Sequence, residues 1–246
     1  MRLMLGLFLC VLNTAYGADN LASIQQLGEL QTATLLQTGT GNQVVLEQMS
    51  PLGALTGSAN LAQLTQVGFD NSSTVKQADN NNQAYLDQVG DTQLAMVTQA
   101  GAVNVAYITQ MTESNTLTVN QTNTSEGLGN SVTASQDGVL NVAEVMQSGI
   151  ANTAQLSQVG TSNTATLSQY GEDNVLNVLQ AMSGNQARIE QNGTANQVTL
   201  SQTGINNVAG VTQLGSNNSA TIVQAGNNHV VNVVESGGVS LTVIQP

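Results

Sequence analysis

The segment Gln99-Ala-Gly101-Ala-Val-Asn104-Val-Ala106-Tyr-Ile108-Thr-Gln110 returns, eleven residues on, to the glutamine with which it began. Within it Asn104, Ala106, Ile108 and Gln110 fall on alternate positions. A period of two places all four on one side of a β-strand, with Val105, Tyr107 and Thr109 on the other. With the glutamine as position 1, Gly101 at position 3 supplies the backbone freedom that a turn needs. No helical spacing accommodates the same residues.

The unit repeats along nearly the whole chain. Stepping by eleven from Gln26 gives Gln37 and Gln48, and after a seven-residue insertion Gln66, Gln77, Gln88, Gln99, Gln110 and Gln121. A further insertion of four leads to Gln136, Gln147, Gln158, Gln169, Gln180, Gln191, Gln202, Gln213 and Gln224, then Glu235. Of these 19 units 18 open with Gln, 14 carry Gly at position 3 and 15 carry Asn at position 6, which excludes compositional accident. Position 10 is aliphatic throughout, from Leu35 through Ile108 to Val233 and Ile244.

A seven-residue strand and a four-residue turn make eleven, and two units bring the chain back over its start. The expected fold is all-β, a two-sheet parallel β-solenoid (β-helix) of about nine to ten 22-residue turns, amyloid-like in its stacking. Inside it, like sits on like. Gln66, Gln88, Gln99, Gln110, Gln147, Gln158, Gln169, Gln191, Gln202 and Gln213 form one kind of hydrogen-bonded ladder. Asn71, Asn104, Asn141, Asn152, Asn163, Asn174, Asn196, Asn207 and Asn218 form another, with turn glycines Gly68, Gly90, Gly101, Gly160, Gly193 and Gly215 beside them. Each amide donates to one neighbour and accepts from the other, because an unpaired buried amide is costly. The aliphatic columns form a dry seam. Tyr85 and Tyr107, both at position 9, should stack on adjacent levels. The insertions, near residues 51–57 and 124–127, fall in odd-numbered units and should bulge from one edge.

Composition excludes much chemistry. The 246 residues are 7% charged and 2% aromatic, while Asn and Gln together fill 56 positions. With one His and one Cys in the sequence, no catalytic, cofactor or metal site is expected, and His229 has no second His or thiol to join it on a metal. Regular Thr columns for an ice-binding face, clustered acids for a β-helix enzyme, and Asp at fixed turn positions for calcium are all missing. Residues 1–17 read as a cleavable signal peptide: Arg2, an apolar Leu3–Leu12 run, and Ala15-Tyr16-Gly17 as the cleavage site. Residues 18–25 then form a short leader and 26–246 the solenoid. The cleaved chain keeps Lys76 and Arg188 against 15 acids, a net charge of −13 that disfavours nucleic acid. No acid occupies positions 6, 8 or 10, and only Glu235 stands in the glutamine column. His229 and Glu235, replacing Asn and Gln in the last full turn, mark a terminal cap or a poorer template at that end. Gln245 follows Glu235 by ten residues, so the sequence leaves the phase of the last unit open.

The units Gln99-Ala-Gly-Ala-Val-Asn104-Val-Ala106 and Gln158-Val-Gly-Thr-Ser-Asn163-Thr-Ala165 resemble the curlin repeat of bacterial curli subunits, from about Gln26 to Ile244. The resemblance implies a secreted structural protein, exported through the periplasm and a dedicated outer-membrane channel with its chaperones. It also implies assembly with itself and with other curli subunits into extracellular amyloid fibres of the biofilm matrix, the Gln, Asn and Gly columns driving assembly. The repeats are nearly twice as many as in the familiar subunits, and glycine in both half-turns looks more like the minor, nucleating subunit, whose basic last repeat has no counterpart here. Major and nucleating roles both stay open. The alternative is a monomeric secreted β-solenoid adhesin.

Overall fold

A computed structural model describes residues 10–28, 30–50, 59–123 and 128–246. Among them there is no helix; 21 strands run in chain order from β1 (Cys10–Tyr16) to β21 (Ser240–Gln245). Odd-numbered strands make one sheet of 11 and even-numbered strands a second of 10, each strand hydrogen-bonded to those two before and after it in sequence. Every pairing is parallel, and Gln110 lies beside Gln136, Gln158 beside Gln180 and Leu167 beside Ile189. The chain is therefore a two-sheet parallel β-solenoid.

The period-two alternation is the reason for the two layers. In β9 (Val105–Glu113) Ala106, Ile108 and Gln110 are buried while Val105, Tyr107 and Thr109 face outward. Across the sheets, position 8, most often Ala, and position 10, Leu, Ile or Val except at Ala134, meet in one continuous apolar seam from Ala33 to Val233. The small residue at position 8 keeps the sheets close; the larger one at position 10 fills the space.

Four features differ from the sequence reading. Most strands run nine residues, not seven, because position 3 stays in the ladder: β13 (Thr153–Thr161) pairs with β15 (Val175–Ser183) through Gly160 and Met182. The left-handed residue of the turn proper is position 5, occupied by Asp70, Val103, Leu140, Ala151 and Asp173 among others at φ of 55–62°. The solenoid also begins before Gln26. β2 (Leu21–Leu27) pairs with β4 (Gln43–Met49), so most of the expected leader lies in the sheet, and β1 pairs with β3 (Thr32–Thr40). Ala15, Gly17 and Asn20 thus open a unit in which Ala15 stands opposite Gln37.

The fourth difference settles the last phase. Ile222 pairs with Val243 and Gln224 with Gln245, so the final unit is one residue short. Val243, not Ile244, continues the aliphatic column, and Ile244 is 67% exposed. The deletion falls in the turn, where Val239 takes the place of asparagine and its carbonyl accepts from Ser219 N.

Both insertions join an even strand to an odd one, β4 to β5 (Leu61–Phe69) and β10 (Thr116–Thr122) to β11 (Ser131–Val139), which places them on the same edge three levels apart. The inserted residues 51–57 and 124–127 lie outside the described residues. After each, the phase resumes at a buried asparagine, Asn60 or Asn130. We expect Val243→Asp to lower the thermal midpoint measurably. Ile244→Asp, on the outer face, should change stability by no more than about 0.5 kcal/mol; circular-dichroism melts of the two variants check the assigned phase.

Candidate functional site: the stacked amide columns

Position 1 side chains point inward in the second half of each strand. In the odd sheet Gln37, Gln66, Gln88, Gln110, Gln136, Gln158, Gln180, Gln202, Gln224 and Gln245 form one file, each Nε2 donating to the next Oε1 over 2.8–2.9 Å. The even file runs from Gln26 through Gln48, Gln77, Gln99, Gln121, Gln147, Gln169, Gln191 and Gln213 to Glu235, at 2.6–3.0 Å. All donate in the same direction along the axis.

Each glutamine does a second task that the repeat pattern does not announce. Gln158 Nε2 also donates to Val142 O at 3.1 Å and Gln169 Nε2 to Thr153 O at 3.0 Å. Those carbonyls open the strands of the facing sheet, so the amides tie the two sheets together at both edges. A hydrocarbon at position 1 would break the file and leave a carbonyl of the opposite sheet without its donor.

The asparagines build the corners. Asn174 Oδ1 accepts from Asn196 N at 3.1 Å and from Asn196 Nδ2 at 3.0 Å, and Asn174 Nδ2 donates to Gly193 O at 2.9 Å. The same corner recurs at Asn71 with Gly90 O, Asn141 with Gly160 O, Asn152 with Gly171 O, Asn196 with Gly215 O and Asn207 with Gly226 O. Asn163 makes it with Met182 O, while Asn104 and Asn218 donate within their own turn to Ala100 O and Leu214 O. Only part of each corner is therefore a side-chain ladder; the rest holds main-chain groups that a turn would leave unpaired.

Glycine at position 3 belongs to the same device. A Cβ on Gly171 would fall on the carbonyl oxygen of Gly193, the atom that Asn174 draws inward. Gly68 and Gly90, Gly160 and Met182, and Gly193 and Gly215 repeat this approach, and a Cβ on Gly101 would meet Asn123 O. The backbone there adopts φ of 125° at Gly68, 117° at Gly90, 94° at Gly101, 113° at Gly160 and 138° at Gly193, outside the range comfortable for an L side chain. Gly215, at φ 89°, meets no such crowding, since the ladder to the next level ends at Leu214 and Ser236, before Gly215.

Three departures inside the stack mark its tolerance. Gln93 replaces asparagine, and its buried Nε2 has no hydrogen-bond partner. Thr112 stands at position 3 with φ 81°, one level on. Asn123, beside the second insertion, uses its side-chain amide as a backbone substitute, accepting from Ala102 N and donating to Ala102 O, both at 2.7 Å. The outer faces are plainer. Tyr85 and Tyr107 stack at 4.7 Å and 8°, as their spacing requires, and burial, then the neighbouring Tyr107, pushes the Tyr85 phenol above its ordinary range. Lys76 pairs with Glu47 at 3.0 Å in an exposed bridge. Among the described residues no group of three His, Cys, Asp or Glu gathers at one point.

His229 occupies the asparagine place just before the last even strand, β20 (Val230–Ser236), its backbone N donating to Asn207 Oδ1 at 3.0 Å. Glu235 is 3% exposed; its Oε2 accepts from Gln213, and its Oε1 has no partner.

A family model described as the curlin associated repeat matches residues 17–48, 57–90, 127–160, 149–181 and 183–215, more than half of the chain. The first match begins before Gln26, in agreement with the early strand β2. Among curated proteins none matches the chain.

The corner geometry separates two glycines. Gly193→Ala is expected to destabilise by about 2–3 kcal/mol, since both φ and the Gly215 carbonyl oppose a Cβ. Gly184→Ala, at φ 68° in the position-5 site where Ala195 already sits, should cost about 1 kcal/mol. Urea midpoints of freshly desalted monomer give the order.

Proposed function

The chain belongs to the curlin-repeat family, and from that premise we propose that it is a structural subunit of an extracellular curli-type amyloid fibre, growing by stacking of one solenoid on the next. The observation that carries the reading is the pairing in register of every level, so that the edge strands present nearly the surface that each interior level presents to its neighbour. Family members are subunits of extracellular fibres. An export signal at residues 1–17 and a role in the biofilm matrix and adhesion fit that setting.

The physics needs no second component. An edge strand exposes unpaired N–H and C=O groups together with the open ends of the amide files, and another copy satisfies both. The contact is heterologous and does not close, so it makes a filament. No cofactor enters and no nucleic acid is bound; the partners are the chain itself, other curli subunits and the export apparatus.

The opposing force is charge. Fifteen acids against Lys76 and Arg188 lie almost entirely outside the buried columns, so like charges meet along the axis with a reach of about 8–10 Å near physiological salt. A second reading, a soluble adhesin, draws on a shallow cavity of about 550 Å³ over the outer face of the odd sheet, lined by Thr133, Gln155, Asn177 and Thr199.

Dilution of the chain from denaturant with thioflavin fluorescence, seeding and negative-stain imaging separates the two. We expect seedable, unbranched fibres, forming faster near pH 4.1 and at raised salt. A stable β-rich monomer under all these conditions would move the function to the faces.

A further inference from the structure

The even amide file ends on two orphaned oxygens. At one edge Gln26 donates to Gln48 at 2.6 Å, and its own Oε1 has no partner among the described residues. At the other, Glu235 accepts from Gln213 at 2.7 Å and its Oε1 has none. Since every amide donates in one sense along the axis, a copy set onto β20 must receive a proton from position 235 on its Gln26 Oε1. An ionised Glu235 cannot give one.

We propose that β2 of a second copy docks on β20 and that this joint forms with Glu235 protonated, its O–H donating to Gln26 Oε1 of the second copy. The proposal rests on the fibre reading above and names what controls its growth. The register follows from the columns: Ala22 over Val231, Ile24 over Val233 and Gln26 over Glu235, apolar on apolar at every inward site but the last. In the odd sheet the same step sets β3 on β21 and Gln37 over Gln245, two amides that continue the file without change.

Strand count supports the same joint. Among the described residues the odd sheet has 11 strands and the even sheet 10, and the extra one is β1. With β1 in place, it would occupy the level that β21 of the neighbour takes when β2 meets β20. Without residues 1–17 both sheets hold ten strands, and successive copies alternate even and odd without a gap. The predicted export signal thus also withholds the joint until it is removed.

Among the described residues no other ionisable group faces this carboxyl. β18 (Val208–Ser216) brings Gln213 and Leu214, the following turn is Ser236 to Val239, and β21 opens with Ser240 and Leu241. The facing β19 (Ser219–Asn227) opens with Ser219. His229 precedes β20 at the opposite edge, and the second copy brings Gln25 and Gln26, with Glu29 outside the described residues. Two carbonyl-type oxygens meeting in a dry column repel unless a proton lies between them. Joining a copy whose carboxyl is ionised would therefore take up one proton, so this joint is favoured by lower pH.

The test measures the monomer concentration left at equilibrium with seeded fibres of the chain lacking residues 1–17, between pH 4.5 and 6.5. For the unaltered chain it should rise with pH, by up to roughly tenfold per unit. Glu235→Gln should remove most of that rise, leaving the salt-sensitive part, whereas Glu172→Gln, an exposed change of equal charge, should leave it intact. The chain retaining residues 1–17 should not extend the seeds. Equal pH profiles for Glu235→Gln and Glu172→Gln overturn the joint while leaving the fibre reading in place. Absence of seeded growth at any pH overturns both.

Discussion

Everything in this fold depends on the pairing of buried primary amides. Nearly every level buries one glutamine and one asparagine, or a substitute, on each edge, and such groups are tolerable in a dry interior only when donors and acceptors are matched. Matching requires that each amide lie directly above the last. That fixes the parallel register, forbids a one-residue slip within a strand, and leaves the corners as the only places where length can vary. The insertions before Asn60 and Asn130 and the deletion before Ser240 are all corner events, and in each case the glutamine file continues across them.

The asparagine corner shows why glycine cannot be separated from the amides. Asn152 draws in the carbonyl of Gly171, and that oxygen then fills the space where a Cβ of Gly149 would stand. Loss of either partner leaves the other without a purpose: a side chain at position 3 pushes the carbonyl away, and the amide loses its acceptor. Gln93 illustrates the cost in a mild form. Its longer side chain keeps the acceptor role towards Asn115 N at 3.1 Å but leaves its Nε2 unpaired. The next level tolerates Thr112 at position 3, with φ brought back to 81°.

Much of this was legible in the sequence because its signals are chemical and periodic. The alternation of Asn104, Ala106, Ile108 and Gln110 specifies a face, and the eleven-residue return specifies a stack. What was not legible depends on tertiary geometry. The left-handed turn residue at position 5 is Gly, Asn or Asp in about half of the units, as at Gly41, Asp70, Asn81 and Asn206, but Thr92, Val103, Leu140 and Ala151 take the same conformation without that propensity, since the corner bonds on either side impose it. The second donation of each glutamine, to a carbonyl of the facing sheet, is invisible to spacing within one strand. The unit that contains β2 is hidden in the glutamine series because Ala15 interrupts it, although Gly17, Asn20, Ala22 and Ile24 keep its phase.

A stack of equal levels has no intrinsic reason to stop, so in the proposed fibre any control over growth would reside in levels that are unequal. Interior departures such as Gln93 are isolated and are carried by the intact levels on both sides. Those near the edges of the sheets have no such support. Ala15 pairs in register with Gln37 at one edge, where the sequence has no amide, and His229, Glu235 and Val239 fall within one turn at the other. Glu235 differs from the rest in kind, because it alters the hydrogen-bond capacity of a file without altering its shape. A carboxyl group is nearly isosteric with the amide it replaces, packs in the same buried site and accepts the same bond from Gln213. Only its ability to donate onward depends on a proton. In the proposed joint, a single substitution would therefore leave the fold of one copy intact and make the addition of the next copy conditional, which a bulkier or apolar replacement at that position would not achieve.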